Sequence, residues 1–432
     1  MLWWAHLFLL YCSCSNTCSM IQTDACIVGA GPGGVATALR LSYLGIPSVL
    51  IDKSAFPRDK VCGDAISGKV TTLLNRLDPA ILQRFNAEPI QSDVWGIKFV
   101  APNQKSLDIP FQPNYVRKAA EAPGYVAKRM DFDSFLVEEA KSRDNITFYE
   151  RTEIATFERS SRGWQVSSKD GRLSVDARML FVANGAYSAF SRTQAGLKKD
   201  NRHYAAAVRA YYEGVEQLDK DNFIELHFVK ALTPGYFWIF PLPNGQANVG
   251  LGMRSDILKR RRLNLRTALQ HLLETDPQLR KRFRNARLVS DVKGFGLPLG
   301  SKRRPISGDH FMLIGDAGQL VDPLTGEGIG NAFYSGFIAA EQMAECLKAQ
   351  NFSAEFLKAY DRRVDRVLGS EMRLSYRLQK MLMYPYIVNA LASIIAGNQK
   401  VLQVLSGMYN DFSLREQLVK PLFWLRMIFK KN

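Results

Sequence analysis

The run Gly29-Ala30-Gly31-Pro32-Gly33-Gly34 has the spacing of a loop that cradles a pyrophosphate. Gly29 admits a tight turn, Gly31 lets the backbone approach the phosphates, and Gly34 lets a helix pack closely on the preceding strand. N–H groups at the helix start then face the anion, and the helix dipole favours its charge. About twenty residues on, Asp52 is placed to accept from a ribose hydroxyl, with Lys53 beside it. These two residues and Gly29, Gly31, Gly33 and Gly34 are the candidate contacts of a dinucleotide.

A second glycine cluster lies far along the chain. Gly315-Asp316 ends an apolar run, and Gly326-Glu327-Gly328-Ile329-Gly330 precedes a helical pattern. Asp316 can accept from a sugar-like hydroxyl, while Gly328 and Ile329 bring another helix start to the ligand. Two nucleotide-type sites so widely separated fit one long dinucleotide better than two short ones. Cys62, between Lys60 and Gly63, lies in a loop leaving the edge where ligands bind in open α/β sheets. Neighbouring cations stabilise a thiolate there, and a structural cysteine is an equal reading. Arg129, just before a helical pattern, suits a cofactor contact or an acid cap.

The elements follow from periodicity. Ala25 to Val28 reads as a buried strand, Val35 to Leu44 as a helix closed by Gly45, and Ser48 to Ile51 as a second strand. Gly68 to Phe85 reads as a helix, Val94 to Leu107 as extended chain, and Ser134 to Ser142 as an amphipathic helix. Strands are expected at Ile146 to Tyr149, Trp164 to Ser167 and Met179 to Ala183, with a hairpin turn at Asp170-Gly171. Alternation at Val208 to Tyr212, Phe223 to Val229, Tyr236 to Phe240 and Ala247 to Leu251 predicts an antiparallel sheet forming a second layer. Asp256 to Arg284 is basic and helical, Asn331 to Leu347 is a helix, and Ala354 onward is mostly helical.

The expected fold is therefore α/β: a Rossmann-like cofactor domain, an antiparallel-sheet substrate domain and a helical C-terminal region. The cofactor domain is discontinuous, with 20–200 and 301–347 flanking the sheet domain at 201–300 and helices at 348–432. Met1 to Ser19 resembles a signal sequence but lacks a basic start. Met20, four residues before Asp24, is the expected true start; a cleaved signal or a lipid-attached cysteine is the alternative.

Lys and Arg number 57 against 41 Asp and Glu, a formal charge of +16. No helix-turn-helix, zinc-finger or RNA-binding signature accompanies it, which argues against nucleic acid. An anionic membrane surface, a phosphorylated substrate or a soluble basic surface accounts for the charge. Cysteine and histidine spacing offers no metal site and suggests a reducing compartment. Met381 to Gln399 is uncharged but contains Pro385, Asn389 and Gly397, which argues against a spanning helix. The tail Pro421 to Lys431 mixes aromatics and cations, as an interfacial membrane contact or a packed face would. The expected location is cytoplasmic, with peripheral membrane contact through that tail.

With both glycine motifs placed, the chain from about Asp24 to about Leu347 resembles the geranylgeranyl reductase family of the flavin hydroxylase-like superfamily. Lys60-Val61-Cys62-Gly63 is similar to that family's cysteine-bearing loop near the flavin ring, and Arg129 to its FAD-contacting arginine. Gly315-Asp316 and Gly326 to Gly330 resemble its ribityl and ring contacts. Gly235-Tyr236-Phe237-Trp238-Ile239-Phe240-Pro241, continuing to Asn248-Val249-Gly250-Leu251-Gly252, resembles its Tyr-x-Trp-x-Phe-Pro motif.

The resemblance implies FAD, an isoprenoid lipid or quinone substrate, and saturation of prenyl double bonds by hydride from reduced flavin. Tyr236 and Trp238 would stabilise cationic character at the alkene, or merely floor the sheet. Cys62, Tyr236 or water would supply the proton. Related hydroxylases carry Asp-Gly where this chain has Asn184-Gly185, and no second glycine fingerprint is present. NAD(P)H or another electron donor would therefore bind transiently. The competing functions are a flavin monooxygenase or halogenase, and a non-catalytic lipid-binding flavoprotein.

Overall fold

The computed structural model describes residues 20–112, 114–117 and 122–396. The expectations for Met1 to Ser19 and for the tail Pro421 to Lys431 lie outside the described residues.

Apolar runs too short for helices form a parallel sheet in the order Phe311–Leu313, Ser174–Val182, Met20–Val28, Ser48–Ile51, Ile146–Tyr149. Ala25, Cys26 and Ile27 are fully buried, as strands covered on both faces must be. Trp164–Ser168 and Ile154–Arg159 extend the sheet antiparallel, through a turn in which Gly171 takes φ +71°.

The glycine helix spans Pro32–Tyr43, starting earlier than expected because proline's fixed φ suits the first helical turn. Behind it runs Ile329–Ala349, and the two cross where neither carries a side chain. A Cβ on Gly336 would lie 2.7 Å from the Gly33 carbonyl and 2.8 Å from Thr37 Oγ1.

Some boundaries differ from the sequence reading. Gly68 to Phe85 is two helices, Gly68–Leu77 and Pro79–Ala87, because Pro79 cannot continue the ladder and Asp78 caps the second by accepting from Ala80 N. The helix expected from Ser134 spans Arg129–Lys141, so Arg129 is its first residue rather than a residue before it. An ion pair one turn apart, Arg129 with Asp133, both almost fully buried, holds that extra turn. Asp256 to Arg284 breaks into Ser255–Arg261, Leu265–Thr275 and Pro277–Arg282, at a left-handed Arg262 and at Pro277.

The antiparallel sheet runs Arg287–Leu288, Tyr204–Glu213, Gln246–Arg254, Tyr236–Pro241, Ile224–His227, Gly96–Val100, Ser106–Pro110, with Lys293–Pro298 also on Tyr204–Glu213. It draws its last two strands from before residue 201, joined through the parallel pair of Gly96–Val100 with Ile224–His227. Period-2 alternation sends Trp238 and Phe240 into one core cluster and Phe237 and Ile239 into another, behind the sheet.

Helices Ala354–Val364, Ser370–Met381 and Pro385–Ala396 complete the described chain, with a π-helical stretch at Asp365–Gly369. Pro385 opens the last helix rather than interrupting one. Val388 and Ala392 bury against the sheet's edge, and Asn389 Oδ1 accepts from Asn103 N at 3.1 Å. Among the described residues no helix is long and apolar enough to cross a membrane.

The Gly33–Gly336 crossing has no slack. Gly336→Ala is expected to cost about 1–3 kcal/mol through overpacking, read as a lowered unfolding midpoint.

Candidate active site

A cavity of about 1410 Å³ lies between the C-terminal edge of the parallel sheet, the antiparallel sheet and the C-terminal helices. Gly29, Gly31, Gly33, Asp52 and Lys53 line one end. Gly34 does not; a side chain there would overlap the Gly29 carbonyl, so its part is to seat the helix. Gly29 sits at φ +106° and donates to Ile51 O at 2.7 Å. Asp52 ties the loop down, accepting from Ala30 N at 2.7 Å and Ser54 N at 2.8 Å. Its remaining lone pairs are available to a ribose hydroxyl.

The cradle fits a dinucleotide phosphate. Among the described residues, only Arg58 Nη2, at 3.7 Å, comes within 4 Å of where a Gly31 Cβ would stand. Arg58 is held by Asp133 at 2.8 Å, and the same carboxylate takes two hydrogen bonds of 2.6 Å from Arg129. Arg129 also reaches the Cys62 thiol. The predicted Arg129 and Cys62 thus meet on the cavity wall, beside Gly63.

The second glycine cluster faces the same cavity. Asp316 lies 3.7 Å from Lys60 Nζ, and its Oδ1 would be 3.2 Å from a Cβ on Gly328. Gly328 and Ile329 open the long helix with no side-chain cap and line the cavity. Asn184 and Gly185, the latter at φ +82°, line it between the two glycine turns.

Tyr236, Trp238 and Phe240 form a row along one strand, with successive ring centroids 6.1 and 6.2 Å apart. The Tyr236 hydroxyl donates to Thr325 O on the glycine-rich turn. Burial, then Asp322 and Cys62, push its pKa well up, so it stays a hydroxyl. Beyond this row Ile97, Phe99, Ile109 and Leu226 on the sheet and Leu374 and Leu378 on a C-terminal helix give an apolar lining, with Glu371, Ser375 and Gln379 of that helix also facing the cavity.

Residues to which sequence reasoning gave no role join these parts. Trp238 Nε1 donates to Asn248 Oδ1 at 2.9 Å, and Asn248 Nδ2 donates to Cys62 O and Asp64 Oδ2, both at 2.8 Å. Tyr211 donates to the same Asp64 oxygen at 2.7 Å, and the buried Arg209 stacks 4.1 Å over the Tyr211 ring while pairing with Asp59. Arg209 and Tyr211 share a face of a strand otherwise apolar there, and polar residues at that period were the available signal. Among the described residues no His, Cys, Asp or Glu cluster is arranged to hold a metal.

The FAD binding domain family matches residues 22–373. Over 393 residues, 88% of this chain and 92% of the relative, the chain is 30% identical to the digeranylgeranylglycerophospholipid reductase of Methanococcus vannielii. The chain belongs to the geranylgeranyl reductase family. It is an FAD-dependent oxidoreductase, and the resemblance carried by its motifs holds. Another member-like relative, the menaquinone reductase of Mycobacterium tuberculosis, is 30% identical over 326 residues, 74% of this chain and 76% of that one. The fold matches a geranylgeranyl bacteriochlorophyll reductase-like protein of Thermoplasma acidophilum at a TM-score of 0.77 and 23% identity, covering 93% of this chain and 99% of that one.

Within this protein, burial pushes Asp64 up to about 6 from 3.8, against its hydrogen bonds from Asn248 and Tyr211 and the charges of Arg209 and Arg129. Between those two values the native state holds more protons than the unfolded one, so stability falls as pH rises through that window. The contribution is about 2–3 kcal/mol. Urea midpoints measured from about pH 4 to about pH 7 should show this slope in the wild type and lose it in Asp64→Asn.

Proposed function

We propose that this protein saturates carbon–carbon double bonds in the prenyl chain of a lipid or quinone. The observation that carries the reading is the aromatic row Tyr236, Trp238, Phe240, set in an apolar cavity continuous with both glycine turns. The names of the relatives, reductases of an isoprenoid phospholipid and of menaquinone, support the same substrate class.

Gly29, Gly31, Gly33 and Asp52, with Gly34 behind them, would hold the nucleotide end of FAD, and Lys53 and Arg58 would flank it. Cys62, Gly63, Arg129, Asp316, Gly328 and Ile329 would hold the flavin end. Reduced FAD supplies a hydride; a NAD(P)H or other donor that docks transiently would supply its electrons.

The chain's own task is to orient an isolated alkene, exclude water and deliver one proton. An unactivated alkene gains positive charge as it is reduced, and the π faces of Trp238 and Tyr236 attract that charge in a dry site. The proton leaves the Cys62 thiol for the second alkene carbon. Arg129 then faces the thiolate, which regains its proton from solvent. Tyr236 is the weaker donor because its hydrogen is already given to Thr325 O and burial holds it.

Anaerobic incubation of the dithionite-reduced protein with a prenyl panel, read by mass, should show added hydrogen pairs. Trp238→Leu should keep its flavin absorbance and lose about tenfold or more in turnover, and Cys62→Ser about a hundredfold. Substrate-coupled oxygen uptake with no saturated product would instead mark a monooxygenase.

A further inference from the structure

One cation stands where several walls of the cavity meet. Lys69, the second residue of Gly68–Leu77, lies 3.4 Å from Glu327 Oε2 and 2.8 Å from Glu371 Oε2, and donates to Asn331 Oδ1 at 3.1 Å. An ammonium has three protons and no lone pair, so these three acceptors use its full capacity. They belong to the glycine-rich turn, the first turn of Ser370–Met381 and the start of Ile329–Ala349. Lys69, Glu327 and Glu371 all line the cavity.

The two carboxylates govern different walls. Glu327 stands between Gly326 and Gly328; its second carboxylate oxygen accepts from Ser67 Oγ, and its carbonyl accepts from Asp322 N at 2.8 Å. Glu371, Ser375 and Gln379 recur one helical turn apart and so share a face of their helix. That face sits on the same glycine-rich turn: Ser375 donates to the Asp322 carboxylate, and Gln379 Nε2 donates to Pro323 O. Leu374 and Leu378, on the adjoining face, give this helix its apolar contribution to the cavity.

Charge makes the contact hard to replace. The side chains of Lys69, Glu327 and Glu371 are only 21%, 22% and 21% exposed, so salt screens them less than it would a surface pair. Burial works against the ammonium, but Glu327, Glu371 and Asp322 outweigh it and raise its pKa, so Lys69 stays charged. An apolar residue in its place removes the counter-charge that lets Glu327 and Glu371 converge on one point.

We propose that Lys69 is a positioning residue: through Glu327 and Glu371 it registers the helix that carries Leu374 and Leu378 against the glycine-rich turn that receives FAD. It acts through those two carboxylates and not on the reacting atoms. In the prenyl-reduction reading, on which this step rests, the prenyl chain lies against Leu374 and Leu378. The spacing of helix and turn then decides whether the alkene meets the flavin end, and small misplacements are costly in rate. FAD arriving at the turn is felt by the helix, because one ammonium grips both.

Hydrogen exchange of the full chain, with and without FAD, tests the coupling without catalysis. In the wild type, FAD should slow amide exchange in both 322–330 and 370–381. Lys69→Met should still bind FAD and keep the slowing at 322–330 but lose it at 370–381, and Lys69→Arg, which keeps the charge, should restore it. A merely structural lysine would change exchange alike with and without FAD. Glu371→Ala leaves Lys69 on Glu327 and should uncouple the helix in the same way, which covers a Lys69→Met protein that fails to fold. With prenyl substrate, each uncoupled variant should keep its flavin absorbance and lose about tenfold or more in kcat. Slowing at 370–381 that persists in Lys69→Met or Glu371→Ala, or that is absent from the wild type, would overturn the assignment. Wild-type coupling with no saturated product would instead count against the prenyl reading, with the exchange result standing on its own.

Discussion

Everything in this site depends on how little room there is where the first parallel strand ends. Gly29 turns there at a φ that side chains rarely adopt, its N–H is taken by Ile51 O, and Gly34 rests on its carbonyl. Ala183, at the end of the neighbouring strand, closes the other side and donates its N–H to Val28 O. Because Met20–Val28, Ser174–Val182 and Phe311–Leu313 are adjacent and parallel, the loops after all of them leave the same edge. Two glycine turns almost three hundred residues apart thereby face one cavity.

The aromatic strand and the cysteine loop on that cavity's wall are joined by a single buried amide. Asn248 accepts from the Trp238 indole and donates to the Cys62 carbonyl and the Asp64 carboxylate, so one side chain fixes the aromatic strand against the cysteine loop. Low dielectric makes each of these bonds strong and each lost partner costly. Gly63 has no side chain to fend off Phe240, whose ring would stand 3.0 Å from a Cβ there. The thiol and the indole are thus held on one wall while the loop that carries Cys62 stays free of regular structure.

The local parts of this arrangement were legible in the amino-acid sequence. Ser48 to Ile51 and Ile146 to Tyr149 are strands with the boundaries that periodicity assigns, since each is a short apolar run between strong breakers. The glycine loop and the row Tyr236, Trp238, Phe240 were legible for the same reason: their meaning lies in spacing along one segment. The roles of Asp64, Arg209, Tyr211 and Asn248 were not, because they exist only through the pairing of Tyr211 with Asn248 across two strands. Gly96–Val100 was read as extended chain, but its place beside Ile224–His227 depends on a contact more than a hundred residues distant. Arg129 was placed outside its helix because the ion pair that extends the first turn is buried, and burial is not visible in a local pattern.

The central claim is that both glycine turns serve one FAD, and flavin titration of the apoprotein tests it most directly. A side chain at Gly328 would press on Asp316 Oδ1 and Val321, far along the chain from the phosphate loop. The account predicts one FAD per chain for the wild type and a severalfold or greater loss of affinity in Gly328→Val, although the Gly29 to Gly34 loop is untouched. A Gly328→Val protein that binds FAD as tightly as the wild type would contradict it.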